Sequence, residues 1–140
     1  MKNKPRNGID IPIPNNNEME SKQQDELTQW LSNKNYNFYV TTTFKNKLSD
    51  ETINRKMECF SNHYLIEELF WVREYTSDGK PHIHMVIKTN KILKSYNKLP
   101  KLLKSWGNTE FRLFEKSKST RCISYLNKEY HNQNSLWGIK

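Results

Sequence analysis

Two histidines in one predicted strand could bind a divalent metal ion. His82 and His84 flank Ile83 within the apolar run from Pro81 to Lys88. Because residues two apart in a strand point to the same side of a sheet, both imidazoles share one face and Ile83 lies on the other. Imidazole is the commonest metal-ligating side chain. The alternative is that both histidines are polar residues on the solvated face of a half-buried strand.

Glu74 could complete a metal site with these two histidines. It lies near the end of the strand predicted over Leu69 to Tyr75, and residues 76–80 carry an Asp-Gly turn signal. A hairpin at this turn would place Glu74 opposite His82. Two imidazoles and one carboxylate leave positions open for water and substrate, as a catalytic site requires. This ligand set suits Mn²⁺ or Mg²⁺ and could also hold Co²⁺, Ni²⁺ or Zn²⁺. The alternative is an exposed carboxylate paired with a neighbouring basic residue.

Tyr125 and Lys128 form a second candidate pair near the end of the chain. They are three residues apart in the helix predicted over Ser119 to His131, so their side chains are neighbours. A tyrosine hydroxyl beside an ammonium group could act as a nucleophile with a charged partner. The same spacing also fits a tyrosine at the edge of the core and a solvated lysine. Tyr130 falls on the apolar stripe of this helix, and we expect it to pack.

The elements that must position these residues follow the order β-α-β-β-α-β and then a helix. This order predicts an α+β, ferredoxin-like or RRM-like fold, with one antiparallel sheet and helices packed mainly on one face. Pro100 is expected in the first turn of its helix, because proline is not tolerated in a helix interior. Gly107-Asn108 is expected to end that helix. The predicted strands cover 37–45, 69–75, the run around His82, and 110–115. The predicted helices of this order cover 51–64, 91–106, with the clearest helical signal over 99–106, and 119–131, and a further helix is predicted before the first strand over 18–33.

Net charge, cysteine spacing and apolar content indicate which classes of partner and cellular setting fit this chain. The 140 residues fit one domain and carry a net charge of +8, which favours an anionic partner such as nucleic acid. Cys59 and Cys122 have no paired spacing, which excludes a zinc ribbon and favours a reducing, intracellular setting. The sequence shows no secretory signal and no apolar run of membrane-spanning length, so we expect no membrane partner.

These motifs together resemble the HUH endonucleases, specifically the replication initiator (Rep) domains of single-stranded DNA viruses and rolling-circle plasmids. His82-Ile83-His84 is similar to the family's His-hydrophobic-His motif, and Glu74 is similar to its additional carboxylate ligand. Tyr125-Leu126-Asn127-Lys128 is similar to the Tyr-x-x-Lys motif, and residues 39–44 resemble the first Rep motif. All of them occur in family order between about residues 38 and 131.

The resemblance implies a metal-dependent enzyme that nicks and joins single-stranded DNA to initiate rolling-circle replication. Tyr125 would attack the scissile phosphate and form a 5′-phosphotyrosine, while Lys128 would stabilise charge or help to deprotonate it. Mn²⁺ or Mg²⁺ on Glu74, His82 and His84 would polarise the phosphate. The DNA partner would be an origin, including a hairpin form. The chain has no Walker motif, so we expect either that it works with a separate helicase or host replication machinery, or that it is a piece of a longer protein. The expected location is the cytoplasm of a prokaryotic host or the nucleus of a eukaryotic one.

Composition, apolar periodicity and the resemblance together divide the chain into four segments. Residues 1–18 are expected to be a mobile tail, 19–36 a helix and linker, 37–131 the endonuclease domain, and 132–140 a C-terminal segment without an assigned element. Trp71 is a candidate for base stacking beside Tyr39. The residues expected to contact DNA are Tyr39, Thr41, Thr43, Lys45, Lys47, Arg73, Lys80, Lys88 and Arg121.

Three other functions fit parts of the pattern. A single-tyrosine HUH transposase has similar chemistry, although its tyrosine generally has a partner other than a lysine at this spacing. A non-catalytic nucleic-acid-binding module can share the β-α-β-β-α-β layout, but such a module does not need the three candidate metal ligands. A non-haem iron oxygenase also uses two histidines and a carboxylate, but the His-x-Asp pattern with a distant histidine is absent from the sequence.

Overall fold

The computed structural model describes residues 29–31, 34–114, 126, 128 and 136–140. Residues 29–31, 126 and 128 are helical. The strands are β1 (Phe38–Phe44), β2 (Glu68–Tyr75), β3 (Pro81–Lys88), β4 (Gly107–Leu113) and β5 (Leu136–Ile139), and the longer helices are α1 (Asp50–Ser61) and α2 (Ile92–Lys104). The predicted tail at 1–18, most of the helix and linker predicted at 19–36, and the residues Arg121, Tyr125 and Tyr130 lie outside the described part of the chain.

The five strands form one sheet in the order β4-β1-β3-β2-β5, and every neighbouring pair is antiparallel. The prediction of an α+β fold with an antiparallel sheet is therefore confirmed. Both longer helices pack on the same side of this sheet, because their buried residues join one cluster with the alternate residues of β1 and β3. We call that side the helix face. Within the described residues, no helix is long and apolar enough to cross a membrane.

The other side of the sheet, which we call the site face, carries a second buried cluster. Strand residues Phe70, Val72 and Val86 pack there with Trp137 and Ile139 of β5. Leu31 and Leu126, from the helical positions near the two ends of the chain, and Tyr36 complete this cluster. The site face is therefore partly covered, and the uncovered part carries the candidate metal ligands.

The structure differs from the sequence prediction at α2. Pro100 lies inside this helix, not in its first turn. A proline in a helix interior costs about 3 kcal/mol. The neighbouring Leu99 and Leu103 are both 0% exposed, and burying each leucine contributes about 1.5–3 kcal/mol. Packing against the sheet therefore offsets the cost of the proline. Gly107 and Asn108 are the first residues of β4, so the chain passes from helix to strand with two intervening residues.

Strand β5 lies in the C-terminal segment 132–140, for which the sequence predicts no helix or strand. Leu136 packs on the helix face, whereas Trp137 and Ile139 pack on the site face. Gly138 stands at the remaining helix-face position, where a Cβ atom would lie 2.3 Å from Nε1 of Trp71. The glycine makes room for the indole ring. Because it has no side chain, it also interrupts the alternation of apolar residues by which a strand is recognised in a sequence.

Gly107 should be sensitive to substitution because its backbone approaches β1 closely. A Cβ atom at this position would lie 1.8 Å from the carbonyl oxygen of Thr43. We expect Gly107→Ala to lower the free energy of unfolding by about 1–3 kcal/mol or more, since two paired strands would have to separate. Urea denaturation measures this loss. The exposed neighbour Asn108 provides the control, and Asn108→Ala should change stability by less than about 0.5 kcal/mol. Equal stability of Gly107→Ala and the wild type would contradict this prediction.

Candidate metal centre

The hairpin of β2 and β3 brings the three predicted ligands together. Glu74 pairs with His82 in the register of these strands. Gly79 adopts a φ of +82° in the connecting turn, a conformation that favours glycine. The backbone N–H of Thr76 donates a hydrogen bond to the carbonyl of Lys80, which closes the turn. The Asp-Gly turn thus determines a register in which the carboxylate faces the two imidazoles.

The ligand atoms of Glu74, His82 and His84 lie within 4.8 Å of one another, so the three side chains could hold one metal ion. Nε2 of His84 is 2.8 Å from Oε1 of Glu74, and Nε2 of His82 is 3.8 Å from the same oxygen. The side chains of Glu74 and His82 are 25% and 23% exposed, whereas that of His84 is 8% exposed. The group is therefore open to solvent on one side, where a substrate could reach a bound ion.

Two hydroxyl groups of β1 orient the imidazoles. Oγ1 of Thr43 lies 2.5 Å from Nδ1 of His82, and the hydroxyl of Tyr39 lies 3.1 Å from Nδ1 of His84. Both Nε2 atoms therefore face Glu74. A hydroxyl can donate or accept a hydrogen bond, so it can hold Nδ1 in either tautomer. When Nδ1 carries the proton and donates to the hydroxyl, the Nε2 lone pair is free for a metal ion.

We expect these two hydroxyls to act as positioning groups for metal binding. Tyr39→Phe and Thr43→Val should each weaken Mn²⁺ affinity by about 10–100-fold, the usual effect of losing a hydrogen bond to a metal-ligating histidine. Isothermal titration calorimetry would measure the affinity. Thr41→Val is the matched control, because Thr41 is half-buried on the same strand and face and its hydroxyl has no histidine partner within the described residues. Equal losses in all three variants would show that the hydroxyl bonds to histidine are not the cause.

Burial lowers the pKa of both histidines. Desolvation is the main cause in each case, and the carboxylate of Glu74 opposes it in part. Glu110 on β4 also opposes the lowering of the His82 pKa, which indicates that a second carboxylate acts on the site. Because the lowered pKa values lie below 6.5, both imidazoles are neutral at pH 7, which is the form that ligates a metal ion.

These pKa shifts predict a pH dependence of the metal-free protein. In ¹H NMR titrations, the ring protons of His82 and His84 should titrate with midpoints below 6.5. In the unfolded chain, the imidazoles of His82 and His84 take up protons near pH 6.5, whereas in the folded chain they do so only at a lower pH. The free energy of unfolding should therefore be at its full value above about pH 7, and fall as the pH drops through the folded pKa values. Midpoints above 6.5 would mean that the attraction of Glu74 outweighs burial.

The predicted catalytic pair lies largely outside the described residues. Tyr125 is not described, and Lys128 is helical and exposed. Leu126, which follows Tyr125 in the sequence, is 0% exposed and belongs to the same buried cluster as Val72 and Val86. This cluster is on the site face, as are the metal ligands.

The predicted DNA contacts divide into three groups. Tyr39 and Thr43 are half-buried and hydrogen-bonded to the histidines, and Thr41 is half-buried between them, so the contacts of these three residues with DNA stay predictions. Lys45 and Lys47 are exposed at the end of β1 nearest His82. Lys47 approaches the hairpin turn, where a Cβ atom on Gly79 would lie 3.2 Å from its Cε. These two lysines remain candidates for phosphate contacts.

Other candidates for DNA contacts already have partners in the protein. Arg73 points to the helix face, is 4% exposed and donates a hydrogen bond to the carboxylate of Asp50 in α1. The prediction of a DNA contact at Arg73 is therefore wrong. Trp71, 1% exposed in the core, cannot stack on a base either.

The two remaining described candidates are paired with carboxylates. Lys80 lies 3.5 Å from Asp78 beside the hairpin turn. Lys88 lies 3.3 Å from Glu68, at the opposite end of β3 from His82 and about 20 Å from it at 3.3 Å per residue. Lys80 is therefore near the metal ligands, whereas Lys88 is remote from them. Arg121 lies outside the described residues.

No family model, curated protein or solved structure matches this chain.

Proposed function

We propose that this protein is a metal-dependent endonuclease that nicks and joins single-stranded DNA through a covalent tyrosine intermediate, as in the initiation of rolling-circle replication. The observation that carries the proposal is the convergence of Glu74, His82 and His84 on a solvent-accessible part of the sheet. A module that only binds nucleic acid has no need for such a group.

The site has the composition of a catalytic metal centre. Three protein ligands leave positions for a phosphate oxygen and water, whereas structural zinc sites are closed by four protein ligands. Mixed nitrogen and oxygen ligands suit Mn²⁺ or Mg²⁺. An ion bound here would act as a Lewis acid on the non-bridging oxygens of the scissile phosphate. Glu74 and the two imidazoles would fix its position, and Tyr39 and Thr43 would fix the imidazoles.

Tyr125 is the proposed nucleophile. Its phenolic oxygen forms a bond to phosphorus, and the bond from phosphorus to the 3′ oxygen breaks. The phenol loses a proton to solvent or to a neighbouring base, and the departing 3′ oxygen gains one. The products are a 5′-phosphotyrosine and a free 3′ hydroxyl, which can reverse the reaction and join strands. A phenol has a pKa near 10, so a positive field from Lys128 and the bound ion would favour its deprotonation.

Two further observations support this assignment of roles. Leu126, which follows Tyr125 in the sequence, is buried in the cluster on the site face. The net charge of +8 favours a polyanionic substrate, and the exposed Lys45 and Lys47 lie at the end of β1 beside His82. Both features would place a DNA backbone across the uncovered part of the sheet.

A cleavage assay tests the proposed function. The protein is incubated with a pool of end-labelled single-stranded oligonucleotides and Mn²⁺, and the products are separated on a denaturing gel. We expect a slowly migrating covalent protein–DNA band that disappears when EDTA is added. Tight DNA binding that is insensitive to EDTA, without any covalent product, would contradict the proposal and favour a binding module. Cleavage confined to transposon-end hairpins would favour the transposase.

A further inference from the structure

Helix α2 carries a row of positive charge that no acidic residue of the helix itself compensates. Its sequence and its N-cap, from Lys91 to Lys104, contain five lysines and no acidic residue. All five lysines are exposed. At 100° per residue, Lys94, Lys98 and Lys101 fall within an arc of about 60°, and Lys91 continues this line at the N-terminus. We call these four residues the lysine row.

Two ammonium groups of the lysine row converge on one tyrosine. Nζ of Lys94 and Nζ of Lys98 lie 5.3 and 5.8 Å from the ring centre of Tyr64. Lys98 also donates a hydrogen bond of 3.2 Å to the Tyr64 hydroxyl. Tyr64 is itself 62% exposed, and the ring of His63 stacks on it at 4.7 Å. The tyrosine therefore holds two cations side by side at the protein surface.

This arrangement is unfavourable in the protein alone. Like charges four residues apart on a helix repel each other. Within residues 34–114, no carboxylate forms an ion pair with Lys94 or Lys98, whereas Arg55 on α1 pairs with Glu51 at 3.6 Å. The repulsion between the lysines would be relieved by an anionic ligand that contacts both ammonium groups.

The lysine row lies on the far side of the domain from the candidate metal centre. The buried residues Leu99 and Leu103 of α2 pack on the helix face, whereas the metal ligands are on the site face. A sheet with one helix layer is about 20 Å thick. A strand bound at the metal ligands would not reach the lysine row without leaving the sheet, so the row must contact a different segment of any nucleic acid.

We infer that the lysine row binds the phosphodiester backbone of duplex DNA, without sequence preference, as a second DNA-binding surface. From Lys91 to Lys101 the lysine row extends about 15 Å, which covers about four phosphates of one strand at 3.4 Å each. A regular row of point charges matches a regular backbone. Lysines reaching phosphates carry no sequence information.

The distribution of apolar residues on α2 argues against a membrane as the ligand. Leu93 and Tyr96 are 82% and 49% exposed. They lie about 80° or more around the helix from the nearest residue of the row, on the flank towards β4. A helix that enters a lipid surface needs an apolar face centred between its lysines. Here the exposed apolar residues of α2 form no face centred between the lysines: Leu93 and Tyr96 lie on one flank of the row, and Leu102, 43% exposed, lies on the other.

The choice of DNA as the polyanion rests on the proposed function, and the test separates the two. Binding of a fluorescent 20-base-pair duplex of arbitrary sequence is measured by anisotropy in EDTA, from 50 to 400 mM salt. The variant is Lys94→Gln/Lys98→Gln, which preserves helix propensity. The matched control is Arg55→Gln/Lys56→Gln on α1, which removes the same charge from residues of the same layer. Adduct formation on a short single-stranded oligonucleotide is measured in parallel.

In Lys94→Gln/Lys98→Gln, which we call the row variant, we expect the slope of log affinity against log salt to be less steep by about 1.8. This corresponds to an affinity about 30-fold weaker at 0.15 M salt. The control should keep both values, and the row variant should keep adduct formation on the short oligonucleotide. An unchanged slope and affinity in the row variant would overturn the inference. An equal loss of duplex affinity in the Arg55→Gln/Lys56→Gln control would also overturn it. The same holds if Lys94→Gln/Lys98→Gln keeps duplex binding but loses binding to anionic lipid vesicles. Failure of adduct formation in the wild type, with duplex binding lost in the row variant, would overturn the proposed function alone.

Discussion

Tyr125→Phe should abolish the covalent adduct with DNA while leaving the metal centre intact. The substitution removes the one oxygen that would form the bond to phosphorus and keeps the aromatic ring. Removing the nucleophile of an enzyme that works through a covalent intermediate costs on the order of 10⁴-fold or more, so no adduct band should be detectable. The assay is the Mn²⁺-dependent gel shift under denaturing conditions, with Mn²⁺ affinity measured separately by calorimetry.

Tyr130 provides the matched control for this experiment. It lies five residues later in the same predicted helix, and the sequence places it on the apolar stripe. Tyr130→Phe should therefore keep the adduct. The opposite pattern, with the adduct lost in Tyr130→Phe and retained in Tyr125→Phe, would assign the nucleophile to the other tyrosine. Persistence of the adduct in both single variants would exclude Tyr125 as the required nucleophile.

The candidate metal centre follows from short-range sequence signals. The Asp-Gly turn places Gly79 at a positive φ and aligns Glu74 with His82, and the alternation of a strand then puts His84 on the same face. These features depend only on residues 74–84. Because these residues are close together in the chain, their turn and strand signals are enough to predict how they are arranged. The hydroxyl partners of the histidines depend on a long-range pairing. Thr43 meets His82 through the β1–β3 register, and the period of two in residues 39, 41 and 43 was the available signal.

The orientation of β2 could not be predicted because both of its faces are apolar. Phe70 and Val72 pack on the site face, and Leu69 and Trp71 pack on the helix face. Alternation shows that Arg73 shares a face with Trp71, but it does not show which face is covered by helices. The structure places Arg73 beside Asp50, under α1. Arg73, which the sequence suggested as a DNA contact, therefore forms an ion pair with Asp50 in the first turn of α1.

Removal of any one of the three ligands should almost eliminate metal binding. Substitution of a group that only positions a ligand costs about 10–100-fold in affinity, so loss of a direct ligand should cost more than about 100-fold. The variants are His82→Ala, His84→Ala and Glu74→Gln. All three should also lose DNA cleavage at Mn²⁺ concentrations that saturate the wild type. Calorimetric titration with Mn²⁺ measures the affinity directly.

Glu68→Gln is the matched control for Glu74→Gln. Glu68 lies on β2 and on the same face of the sheet, six residues before Glu74, and it pairs with Lys34 and Lys88. Both substitutions remove one negative charge from the same strand, so a general electrostatic effect would lower the affinity in both variants. A specific metal centre predicts that Glu74→Gln alone loses Mn²⁺ binding. If Glu74→Gln bound Mn²⁺ as tightly as the wild type, the carboxylate would be only a hydrogen-bond partner of His84, and the two histidines would need another ligand.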